Sequence, residues 1–202
     1  MVIEMAKLFY QGHGSFRIIT NNKVVIYVDP YVGEGYDLPA DIILVTHEHP
    51  DHAKLELITQ KENCSVLRAE SMLINGKYKH VQIGDINITS VPAYNKNHDV
   101  NKCVGYVIEV DNVKIYAAGD TSTTEYMKTN LSKQELDYAL LPTDGYYNMD
   151  AKEAEKCAEI IGAKHAIPIH TKPGELFDIN VANEFFPANK LIVKPGEEIE
   201  LS

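Results

Sequence analysis

Residues His47 to His52 read His-Glu-His-Pro-Asp-His and stand directly behind the apolar run DIILV of Asp41–Val45. Imidazole nitrogens and carboxylate oxygens together form the donor set of zinc, iron and manganese. His47 and His49 are two apart in an extended loop and can aim at one centre, while Asp51 and His52, beyond Pro50, can face a second. A solvated polar loop could carry the same residues. Crowded imidazoles without a metal, however, repel on protonation and serve no packing purpose, so metal is the expectation.

Such a loop needs a rigid support, and the surrounding sequence supplies one. DIILVT is a buried-type strand, and ligand sites favour the carboxyl ends of strands. KLFYQ, FRIIT and VVIYVD precede it as further strands, separated by turn-rich stretches. AKLELITQ has helical apolar spacing, SVLRA reads as a strand, and VQIGDINITSVPAY as a hairpin through Gly84-Asp85. In the second half VGYVIEV and VKIYAAGD flank a turn at Asp111-Asn112, DYALLP is another strand, and the amphipathic helix DAKEAEKCAEIIG leads into HAIPIH. Asp150 with Glu153 three residues on fits a capping box, and Gly162 is the stop. Two strand-rich halves with helical segments suggest two sheets packed face to face with helices outside.

Composition narrows the partners. A chain of 202 residues can form one compact domain spanning 1–202, and 45% hydrophobic with 24% charged residues is ordinary globular usage. Lys and Arg number 19 against 29 Asp and Glu, a net charge of -10 without a basic stripe, which disfavours nucleic acid and anionic membrane. The stretch MVIEMAKLFYQGHGSF lacks leader features, and no apolar run reaches the ~20 residues of a membrane span, so a soluble cytoplasmic protein is expected, with a homo-oligomer left open. Cys64, Cys103 and Cys157 suggest neither a disulfide framework nor a thiolate metal site.

THEHPDH resembles the HxHxDH signature of the metallo-β-lactamase superfamily, and VPAYN, AAGDT and PIH follow in the expected order. The resemblance runs from Gly12 to about the chain end and is strongest to small metal-dependent hydrolases near the ascorbate-phosphate lactonases. It implies a four-layer αββα sandwich. It also implies that His47 and His49 bind a first metal, Asp51 and His52 a second, that Asp120 bridges both, and that His170 completes the second site. The bottom-up reading of Asp120 is compatible, since AAG lets its carboxylate approach closely, although a surface turn would hold an aspartate equally well. His170, taken alone, could be a satisfied core histidine.

At VPAYN the sequence departs from the family, many members of which have a third histidine for the first metal. Imidazole is a better ligand than an amide oxygen for late divalent ions, so His98 is expected to complete the first site, leaving Asn95 for substrate or water. His13, between glycines, is either pocket lining or simple loop. Asp29 is expected to hold a histidine tautomer, with a turn-initiating Asp-Pro as the alternative. His80 and His165 are read as structural.

The expected chemistry is hydrolysis. Two divalent ions, zinc first with manganese or iron as alternatives, would activate a water against a small soluble ester, lactone or phosphoester, with Asp51 and Asp120 handling its proton. Lys96, Lys102 and Lys172 are candidate anion contacts, though each fits solvated surface as well. A redox diiron site would carry a carboxylate where His49 stands. A non-catalytic metal-dependent ligand-binding or sensing domain is the alternative function.

Overall fold

The computed structural model describes residues 5–202; the first four residues of the stretch read for a leader lie outside the described residues. The chain opens with β1 (Lys7–Gly12), β2 (Ser15–Ile19), β3 (Val25–Val28), β4 (Ala40–Val45) and β5 (Gln60–Arg68). A short helix α1 (Ala69–Met72) and the small hairpin β6 (Leu73–Ile74) and β7 (Lys77–Tyr78) lead to β8 (His80–Ile83) and β9 (Ile86–Pro92). β10 (Val104–Val110), β11 (Val113–Ala117), helix α2 (Glu125–Thr129), β12 (Tyr138–Pro142), helix α3 (Ala151–Ile161) and β13 (His165–Ile169) follow. Helix α4 (Ile179–Glu184) and β14 (Glu198–Glu200) close the chain.

One sheet has the order β14-β1-β2-β3-β4-β5 and the other β13-β12-β11-β10-β9-β8. β3, β4 and β5 run parallel, as do β11, β12 and β13. Parallel strands are covered on both faces, which is why VIYV and DIILV are apolar almost throughout. Their inward residues, such as Ile26, Ile42 and Leu44, meet Ile88, Tyr106, Ile108, Ile115 and Leu140 of the opposite sheet in one core. On the far side of the second sheet Val107, Tyr116, Ala139 and Leu141 pack under Met127 of α2 and under Ala154, Cys157, Ala158 and Ile161 of α3.

α3 starts and stops where its sequence says: Asp150 accepts from the Glu153 N–H, and Gly162 takes the left-handed φ of 68°. Only half of the capping box forms, because the Glu153 carboxylate instead accepts from Thr123 N and Oγ1.

The helix expected over AKLELITQ is absent; a single 3-10 turn, Leu55–Leu57, stands there. Ile58 drops its side chain onto Ile43 and Val45, on the outer face of the first sheet, and Thr59 O accepts from Ala40 N at 2.8 Å. The chain must therefore already be extended at Gln60, which pairs with Ala40. That outer layer is built largely from this turn and the Tyr36–Leu38 loop.

The parallel strands end on the same rim. Asp29 follows β3, His47 follows β4, Asp120 follows β11, Asp144 follows β12 and His170 follows β13. Tyr106 Oη donates to Val45 O at 3.0 Å, and Val104 N to Thr46 O at 3.0 Å, which fixes the second sheet to the first at this end. Among the described residues no helix is long and apolar enough to cross a membrane.

Candidate metal centre

The rim gathers the His and Asp residues into adjoining groups whose donor atoms lie within 4.8 Å of one another: His47, His49 and His98; His47, His52 and Asp120; and His13, Asp51, His52 and His170. Asp120 stands between them. Its Oδ2 is 3.2 Å from His98 Nε2, while its Oδ1 is 3.3 Å from His52 Nε2 and 3.6 Å from His170 Nε2. His80 and His165 lie elsewhere, the first beside Thr89 and the second stacked on Tyr138.

Each buried ring is gripped at Nδ1 by an oxygen, so that Nε2 faces inward. Thr46 Oγ1 is 3.0 Å from His47 Nδ1, Asp29 Oδ2 is 2.8 Å from His52 Nδ1, and Asn95 Oδ1 is 2.9 Å from His98 Nδ1. Asp144 Oδ2 lies 3.0 Å from His170 Nδ1, an ion-pair contact and not an aligned hydrogen bond. Asp29 also accepts from Thr46 N and Thr46 Oγ1, both at 2.7 Å. Such oxygens fix the tautomer and raise the basicity of the free nitrogen.

Backbone conformation contributes. His13, Asp29 and His170 have φ values of 55°, 46° and 46°, a region that side-chain-bearing residues avoid at a cost of roughly 1–2 kcal/mol each. Gly119, at φ 64°, lets Asp120 enter: a Cβ there would stand 2.9 Å from Thr46 Cβ.

Charge is concentrated and opposed. Burial pushes the His47 ring well below its ordinary pKa, with His52 adding to the effect. Burial acts the same way on His52, but Asp120 and Asp29 outweigh it and hold that ring well above the ordinary value. Burial resists ionisation of Asp120, yet His52 and His170 keep its carboxyl well below the usual range. His170 is raised against burial by Asp120 and Asp144, and Asp51 is lowered against burial by His13 and His52.

The donor set fits a metal. His47 Nε2, His52 Nε2, Asp120 Oδ1 and His170 Nε2 are buried, converge, and have no hydrogen-bond partner among the described residues. Orphaned buried atoms of this kind are rare and call for an ion or other ligand.

The structure places Asn95 behind His98 and adds two residues. Asn95 is not free for substrate: its Oδ1 serves His98 and accepts from Asn97 N, and its Nδ2 donates to Tyr147 O. His98 reaches the cluster because Asn95 and His98 exchange backbone hydrogen bonds of 3.1 and 3.2 Å across a tight turn, which absorbs the three-residue offset. Asp144 and Thr46 went unread in the sequence, although Asp144 closes its strand as Asp29 does.

Asp144 Oδ1 accepts from the N–H groups of Tyr146 and Tyr147, both at 2.7 Å, tying its loop around the carboxylate. A cavity of about 520 Å³ opens at His47, His49 and His98, walled by Glu48, Glu70, Asp99 and Lys102 among others. Of the other candidate cations, Lys96 lines a separate cavity and Lys172 pairs with Glu175 at 2.6 Å.

Comparison with known proteins agrees with the fold and with metal dependence. The β-lactamase superfamily domain model matches residues 7–170. A UPF0173 metal-dependent hydrolase of Thermococcus onnurineus is 31% identical, with 98% of this chain and 100% of the relative covered. One of Pyrococcus furiosus is 30% identical with the same coverage. The solved structure of Igni18, a metallo hydrolase from Ignicoccus hospitalis, superposes with a TM-score of 0.78 over 98% of this chain and 99% of that one; at 22% identity it speaks for the fold alone. With a family model across most of its length and relatives aligned end to end, the chain belongs to the metallo-β-lactamase superfamily, as a metal-dependent hydrolase.

Proposed function

We propose that the centre holds two divalent ions and hydrolyses a small ester or lactone, in preference to a phosphoester. The observation that carries this reading is Asp120, whose two oxygens face His98 on one side and His52 with His170 on the other. His47, His49 and His98 would hold the first ion, for which three imidazoles suit zinc, and Asp51, His52 and His170 the second. Bound ions would supply a water of near-neutral pKa and a Lewis acid for the carbonyl oxygen.

The protein's own groups divide the remaining work. The Asp51 side chain is 36% exposed against 5% for Asp120. Asp51 therefore exchanges the proton with solvent, while Asp120 stays in the interior and keeps the two groups together. Glu48, Glu70 and Asp99 outnumber Lys102 around the cavity, and Arg68 holds Glu48 at 2.6 Å from outside that lining. Away from the ions, a phosphodiester anion would meet like charge on this wall, whereas an uncharged ester or lactone would not.

The test is elemental analysis followed by a panel of esters, lactones and phosphodiesters on the metal-restored protein. Two metals per chain with ester or lactone turnover, both lost in Asp120→Ala, is the expected result. Turnover that survives in the metal-free protein or in Asp120→Ala would sink the proposal.

A further inference from the structure

His13 is more tightly built into the rim than a pocket residue needs to be. It is fully buried. Its N–H donates to Leu176 O at 2.6 Å, and its carbonyl accepts from Tyr10 Oη at 2.7 Å and from His170 N at 2.8 Å, which together hold the strained φ of 55°. Gly14 makes room beside it, since a Cβ there would stand 2.9 Å from His52 Cε1.

The ring has a defined polarity. Its Nδ1 is 3.2 Å from Glu175 O, a carbonyl that can only accept, so Nδ1 carries the hydrogen of the neutral ring. Nε2 then presents a lone pair, and it points at Asp51 Oδ2 from 3.2 Å. A carboxylate oxygen also offers only lone pairs, so the two atoms converge on the place of a shared cation, which without metal is a proton on Nε2. His170 stands alongside, its ring centroid 3.6 Å from that of His13, and its buried Nε2 is without a hydrogen-bond partner.

From this geometry we infer that His13 is a direct ligand of the second metal, adding to Asp51, His52, His170 and Asp120. The inference rests on the two-metal reading above and extends it. A centre with three imidazoles and two carboxylates has too many donors for tetrahedral zinc and suits five- or six-coordinate manganese, iron or cobalt. The two centres of this chain then differ in metal preference, the first selecting zinc and the second an ion of higher coordination number.

The experiment uses the full chain loaded with Co(II). The wild-type crystal structure should place a cobalt ion within bonding distance of His13 Nε2, about 2.1 Å. Titration of His13→Ala and His13→Gln should show second-site affinity down by about 100-fold, the upper end of what losing a supporting partner costs, with the first site unchanged. The second-site cobalt absorption should intensify as the coordination number falls, a change that a merely supporting role would not produce. Thermal unfolding of the metal-free variants checks that they fold; if Ala does not, Gln carries the test. Cobalt bound by His52 and His170 with His13 still hydrogen-bonded to Asp51 would overturn this inference alone. No cobalt at His52 and His170 would overturn it together with the two-metal reading.

Discussion

Asp29→Asn isolates what one carboxylate oxygen contributes to the centre. The replacement has the same shape, and asparagine tolerates the left-handed φ of 46° as well as aspartate does, so the backbone adds no strain. The amide oxygen can keep the bond to Thr46 N, and the Thr46 hydroxyl can turn to accept. His52 cannot adapt so cheaply. An NH₂ group now faces its Nδ1, and the ring satisfies it by moving its hydrogen to Nε2, the atom meant for metal. Recovering the competent tautomer sets two donors against each other in a buried site, at about 1–3 kcal/mol. That corresponds to a second-site affinity weaker by roughly 5- to 150-fold, at about 1.4 kcal/mol per factor of ten. The assay is competition against a chromophoric chelator, with metal-free melting temperatures as the control for folding. Second-site affinity within twofold of wild type would refute the reasoning, because it would mean that Asp29 does not set the His52 tautomer.

Three other outcomes follow from the geometry. His98→Ala should bring metal content toward one per chain, and Asn95→Ala should weaken the same site about 10-fold through the loss of its contact to His98 Nδ1; equal metal content in both variants and wild type would contradict this. In the metal-free protein His52 and His170 have raised pKa values, so their contribution to stability is complete below the unfolded value of about 6.5 and is lost as pH climbs through the folded values. Metal must displace those protons, so calorimetry in buffers of different ionisation enthalpy should show net proton release and affinity rising with pH. Gly119→Ala should destabilise the fold by about 1–2 kcal/mol from the positive φ alone and misplace Asp120, read as a lower melting temperature and loss of both metals.

The parts of the site that are dictated locally could be read from the chain. The apolar runs VIYV and DIILV mark buried strands, and the donors crowded behind DIILV mark their own loop. What could not be read depends on distances between segments remote in sequence. Nothing within LLPTDG says that Asp144 stands against His170, and nothing near His13 says that Asp51 will lie 3.2 Å from it. The AKLELITQ misreading has the same origin: its helical spacing is real, but pairing of Gln60 with Ala40 and burial of Ile58 leave length for a single turn. Asn95 shows a subtler limit, because the turn that brings in His98 consumes the very amide that looked available.

The cavity wall and the donor cluster are drawn only partly from the same segments of the fold. His13, His47, Asp120 and His170 sit at the ends of paired strands, where a change of backbone would disturb a sheet. Glu70, Asp99 and Asn101, on the wall, are exposed and belong to the short α1 and an irregular loop. Of these, Glu70 is the one remote in sequence from every donor. On the proposed two-metal reading, a change at Glu70 or Asn101 would alter what the cavity admits and leave every donor in place, so new substrates could be sampled without loss of the reactive centre.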